Sequence, residues 1–186
     1  MTMNKIEKLC RSYGKFIAVP WRSDAAAAQR VIFCVYNEDD ERKIRARIGE
    51  FETETQRIGH GWAVFDLTDT FAVWLSGQRY RQSYFKKPEL ISTLMPNYLA
   101  FIKKEFEKFL EAQEVSENTV VALMGVGSLF GFLKVKEVVD TLAPLVEGRL
   151  LVFFPGTYEN NDYRLLDGYD GWNYLAVTIT SNDKES

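Results

Sequence analysis

A chain of 186 residues is long enough to bury roughly 70% of the surface its unfolded form exposes, so no disulfide or metal staple is required. A net charge of -3 excludes a global pull towards nucleic acid, and two cysteines, Cys10 and Cys34, exclude a disulfide framework and suit a reducing cytoplasm. Lys5, Glu7, Lys8 and Arg11 interrupt any signal-peptide core, and no stretch approaches the ~20 apolar residues of a membrane span, so a single cytoplasmic domain over residues 1–186 with no membrane contact is expected.

Residues 1–22 read as a basic N-terminal helix, over 4–13, and a connector through Pro20. Residues 30–36, rich in Val, Ile, Phe and Tyr, predict the first buried strand. Asn37, Asp39 and Asp40 offer caps and negative charge for a helix start, and Ile44, Ile48, Phe51 and Ile58 fall at helical spacing. The spacing predicts one helix over 40–57, ended by Gly59. A second strand over 62–67 and a short helix over 70–76 follow. Residues 77–87 hold Arg79, Arg81, Lys86 and Lys87 among Tyr80, Tyr84 and Phe85 with no acid, a mixture able to hold phosphates and stack bases. The alternative is a solvated connector whose aromatics pack down. Pro88 opens a short helix and Pro96 the first turn of a longer one carrying Tyr98, Ile102, Phe106 and Leu110 inward. Strands over 120–124 and 150–154 flank a helix over 134–146.

Glycine-containing turns follow both of these last strands, at Gly125 to Ser128 and at Pro155-Gly156. A strand, a helical crossover and a second strand make the unit of a parallel sheet, which places ligands at its carboxyl edge. Residues 157–171 carry no helical stripe, so a hairpin of 163–166 with 173–180 is predicted to add an antiparallel C-terminal edge. Residues 181–186 read as a disordered tail. The expected fold is α/β, a three-layer sandwich with a mainly parallel sheet of about five strands, Rossmann-like or degenerate P-loop-like.

Gly125, Gly127 and Gly131 follow a strand, the context in which bare backbone approaches a phosphate, but no acid follows to hold a ribose and no Walker lysine exists. Asp39, Asp40 and Asp66 fall at strand ends, where they cap the following helices or converge on a cation. His60, the only histidine, lies at the start of a strand, away from the expected ligand edge. Ser128 has no evident base, so no catalytic residue is assigned and no cofactor is expected. Tyr158, Tyr163 and Arg164 lie in the long segment after Gly156, expected on the same edge as Gly127 and Asp66. There the tyrosines offer a partner surface, and Arg164 an anion clamp or a structural ion pair.

The phrase Gly125-Val126-Gly127-Ser128-Leu129-Phe130-Gly131-Phe132-Leu133, then Leu151-Val152-Phe153-Phe154-Pro155-Gly156-Thr157-Tyr158, Tyr163-Arg164-Leu165-Leu166 and Asn173-Tyr174, resembles BrxB, a small component of BREX bacteriophage-defence systems. The resemblance runs from about residue 30 to residue 180 and also takes in the strand over 32–36 and the strand-helix pair over 62–75. It implies a multi-protein system with an ATPase, an alkaline-phosphatase-like protein and a DNA methyltransferase, and it brings no catalytic residue with it. The expected function is therefore a non-catalytic subunit acting through contacts with those proteins. The alternatives are a nucleotide- or metal-binding enzyme or sensor at the Gly125–Ser128 turn with Asp66, and DNA contact through 79–87 within the complex.

Overall fold

The computed structural model describes residues 4–168 and 171–181. Helix α1 (Lys5–Ile17) starts at a capping box. Asn4 Oδ1 accepts from the Glu7 N–H at 2.9 Å, and a Glu7 carboxylate oxygen accepts from the Asn4 N–H at 3.0 Å. Strand β1 (Val31–Tyr36) is buried along its whole length, as its unbroken apolar sequence requires of a central strand.

The single helix expected over 40–57 is two, α2 (Glu41–Ala46) and α3 (Ile48–Ile58). The ladder breaks at Arg47, whose N–H turns back to Ile44 and whose guanidinium pairs with Glu50 and with Glu7 of α1. Strand β2 (Gly61–Asp66) and helix α4 (Thr70–Ser76) follow. Residues 81–86, part of the expected connector, form helix α5 (Arg81–Lys86), and a 3-10 turn (Pro88–Leu94) leads to α6 (Met95–Ala112). Beyond β3 (Thr119–Met124) comes α7 (Val135–Leu142), which tightens into a 3-10 turn at Pro144.

Three more strands, β4 (Arg149–Glu159), β5 (Asp162–Leu165) and β6 (Val177–Thr180), complete the sheet among the described residues. Its order is β2-β3-β4-β1-β6, all parallel, with β5 antiparallel to the outer half of β4. Alternation along β1 sends Ile32, Cys34 and Tyr36 to one face, where Leu9, Tyr13 and Ile17 of α1 and Phe51 of α3 pack. Val31, Phe33 and Val35 go to the other, with Tyr98, Ile102 and Phe106 of α6 and Val135, Val138 and Leu142 of α7. The expected three-layer α/β sandwich with a mainly parallel sheet is thus present.

Two details differ from expectation. β4 does not end at Pro155-Gly156: Pro155 still pairs with Tyr36, and the strand continues to Glu159. Pro155 is tolerated because the strand leaves the main sheet there. A Cβ on Gly156 would lie 2.0 Å from the Arg164 carbonyl oxygen, so only glycine admits the returning strand this close. Asn160 and Asn161, with φ of 52° and 67°, make the tight hairpin turn.

The C-terminal edge is also not antiparallel. β6 runs parallel to β1, with Ile32 opposite Val177, and the antiparallel pairing belongs to β5. The hairpin and a bridge between Tyr163 and Trp172 fold over β1, so that Tyr163 lies 4.6 Å from Phe33 and 5.0 Å from Trp172, ring to ring. This aromatic layer covers the part of the face that a crossover helix would otherwise cover, and it brings the chain back to begin a parallel strand. Of the predicted hairpin loop, residues 169 and 170 lie outside the described residues, as does the predicted tail beyond residue 181.

Candidate functional site

At the carboxyl edge, α2 reaches from the end of β1 to the end of β2. Arg45 Nη1 donates to Asp66 Oδ2 at 2.8 Å, Arg45 Nη2 to Thr68 Oγ1 at 2.6 Å, and Arg45 Nε to Glu41 Oε1 at 2.8 Å. Tyr36 donates its hydroxyl to Glu41, and Thr68 donates both its N–H and its hydroxyl to Asp66 Oδ1. Burial raises the Asp66 carboxyl, but hydrogen bonds from Arg45 and Thr68 outweigh it and hold the group below the usual carboxylate range. Burial, with Glu41 beside it, pushes the Tyr36 phenol well up.

Gly125 stands at φ 75°, and a Cβ there would meet Asp66 Oδ1 and Thr68 Oγ1 at 2.5 Å each. The space a phosphate would need beside this glycine is therefore filled by the Asp66–Thr68 pair. The segment that follows is a 3-10 turn (Val126–Leu129), and α7 starts only at residue 135, so the next α-helix does not open on the glycines as a phosphate-binding turn would require. Gly127 packs against Pro155 and Leu166. The Ser128 hydroxyl has Gly125 O at 2.7 Å and Leu67 O at 3.2 Å as acceptors, a structural bond in either case.

The strand-end acids do not converge. Asp40 pairs with Lys43 and Asp66 with Arg45, and among the described residues no group of three or more His, Cys, Asp or Glu could hold a metal. The expected cap at Asp39 comes instead from Asn37, whose side chain accepts from the Asp39 N–H.

The residues after Gly156 are not on that edge. Because the hairpin folds back over β1, Tyr158 and Asn161 share a cleft of about 910 Å³ with Ala28 and Gln29, which precede β1. Tyr163 is fully buried, with its hydroxyl bonded to Thr178, so it is a core residue and not a surface anchor. Alternation along β5 alone forces this: the position opposite Tyr158 faces the sheet. Arg164 faces solvent and makes no ion pair among the described residues, contrary to the expected structural pairing.

The basic segment stands out from the body. Arg79, Arg81, Lys86 and Lys87 are exposed and form no ion pair among the described residues; Arg81 donates to Ser76 O at 2.6 Å and Arg79 lies 5.5 Å from the Tyr80 ring. Tyr84 packs down against the core, but Tyr80 and Phe85 stay 59% and 67% exposed.

The opposite, amino edge holds residues that the spacing did not single out. Arg30 and Arg149 each immediately precede a fully buried apolar run, and the register Val31 to Leu150 sets them side by side. A cation at the mouth of each of two neighbouring strands was a readable signal. With them lie His60 and Asn118, around a cleft of about 760 Å³.

Fold and edges together define a three-layer α/β protein whose parallel sheet is closed at its carboxyl end by side chains and left open at its amino end. The family model described as BREX protein BrxB matches residues 75–179, more than half of the chain, and the chain belongs to the BrxB family. Membership makes it a component of a BREX phage-defence system. The resemblance upstream of residue 75 lies outside that match. No curated protein and no solved structure matches the chain. Among the described residues no helix is long and apolar enough to cross a membrane.

Proposed function

We propose that the protein is a non-catalytic subunit of a cytoplasmic BREX complex, acting through contacts with other subunits, the ATPase or the alkaline-phosphatase-like component first. The observation that carries this reading is the projection over residues 77–94, which contains no fully buried side chain yet presents Tyr80 and Phe85 among four cations, with Leu90 exposed just beyond them. Exposed aromatics and arginines are the side chains that anchor protein interfaces, and the segment lies inside the family match. The carboxyl-edge side chains support the non-catalytic part, since Asp66 and Ser128 are both engaged in structural bonds.

The test is co-purification of the tagged protein expressed with its genomic neighbours. Wild type is expected to retain a stoichiometric BREX partner, and a variant with Tyr80→Ala, Phe85→Ala and Arg81→Glu to lose it while keeping its melting temperature. Retention of every partner by that variant removes the projection from the proposal. The same cations favour a second reading, DNA contact within the complex. That reading requires binding that weakens steeply with salt and loses about one unit of salt slope per cation removed.

A further inference from the structure

The amino-edge cleft has an unbalanced charge. Arg149 is only 8% exposed, and its guanidinium lies 4.6 Å from the Trp21 ring. It donates to Gly148 O at 3.1 Å, which leaves most of its five N–H groups without a protein acceptor. Arg30 beside it has a buried Nε with no hydrogen-bond partner. Neither arginine forms an ion pair among the described residues, and burial together with the charge of Arg30 pushes Arg149 below its ordinary range. Two like charges side by side, Arg149 buried and Arg30 half-buried with an orphaned Nε donor, are costly unless an anion completes them.

The surroundings are built as a frame. Trp21 stacks on His60 at 3.8 Å, and its Nε1 donates to Ile17 O at 3.1 Å. The His60 ring nitrogens lie 2.5 Å from Asn118 Oδ1 and 3.3 Å from Ile17 O, and the Asn118 amide donates to Gly59 O. The carbonyl at the C-terminus of α1 is thereby capped, and the Trp21 ring fixes the plane of the Arg149 fork. Glu117 and Glu147 also border the cleft, both exposed, and neither pairs with either arginine.

We propose that this cleft binds a phosphate-monoester-class dianion between the guanidinium groups of Arg30 and Arg149. A carboxylate would neutralise only one of them. A phosphate group carrying about -1.5 to -2 charges, with three acceptor oxygens, matches both forks. The site lies at the amino edge, remote from the glycine turn and from the projection over 77–94, so it stands whether or not either contacts a partner.

The test is calorimetric titration and thermal melting of the full chain at low salt with inorganic phosphate, adenosine monophosphate and acetate. Saturable binding of phosphate and a raised melting temperature are expected, with acetate at least about tenfold weaker. Equal affinity for phosphate and the nucleotide identifies the bare anion as the ligand; tighter nucleotide binding identifies an organic monoester. Arg30→Gln is expected to lose at least tenfold in affinity while melting no lower than wild type without ligand, because it relieves the repulsion. Arg149→Lys keeps the charge and loses the fork, and should lose affinity similarly. No saturable phosphate binding by wild type, or undiminished binding by both variants, overturns the proposal.

Discussion

Asp66 shows how a residue that looks like a site becomes part of the frame. Its oxygens accept from Arg45 at 2.8 Å and from the Thr68 N–H at 2.9 Å, and the resulting bonds tie α2 to the end of β2. Because its carboxyl is held below the usual range, its contribution to stability is fully present above the unfolded value near 4 and is lost as pH falls through the lower folded value. Asp66→Asn is therefore expected to melt below wild type at neutral pH, by about 1 kcal/mol or less because the side chain is 44% exposed, with the gap closing as pH falls below about 4. Denaturant melts at several pH values check this; a gap that widens in acid contradicts the assignment. The sequence alone could place Asp66 at a strand end. It could not show that Arg45, 21 residues earlier, would reach it.

The clearest departure at the level of elements is β4. Pro155-Gly156 reads as a stop because proline removes a ladder donor and glycine favours turns. Both properties serve a different end here, letting the strand leave the parallel sheet and fold back with β5 across β1. The Gly156→Ala change places a methyl against the Arg164 carbonyl at 2.0 Å, so a loss of about 3 kcal/mol or more is expected, with the near-ultraviolet signal of the aromatic layer reduced. Circular dichroism and chemical denaturation read both; an unchanged midpoint means that the strand has another route. The helices with periodic stripes, α6 and α7, and the inner parallel strands were legible because burial on one or two faces writes a plain apolar pattern. The break at Arg47 and the parallel β6 were not, since each depends on pairings distant in sequence.

For the whole molecule, stability is unevenly distributed. Strands β1, β3 and the inner part of β4 are buried on both faces, whereas residues 77–94 include no buried side chain. Hydrogen exchange is expected to be fastest in that projection and slowest in the three strands, and protection at 77–94 should rise when a BREX partner is bound. Mass-spectrometric exchange of the free and co-purified protein measures this; equal protection in both states places the interface elsewhere. The two sheet edges also differ, one closed by Arg45 and Asp66 and the other lined by Arg30 and Arg149, so opposite ends of one sheet serve structure and recognition separately.

The central position of β1 carries a consequence for how the chain is made. Its inner neighbour β4 pairs Leu150 with Val31, and its outer neighbour β6 comes later still. At the usual rates of synthesis, β1 leaves the ribosome about 6–24 s before the first strand able to pair with it. Through that interval Val-Ile-Phe-Cys-Val-Tyr, the most apolar hexapeptide of the early chain, has α1 to lean on but no ladder partner, so residues 31–36 are the segment of the growing chain with the greatest need of cover.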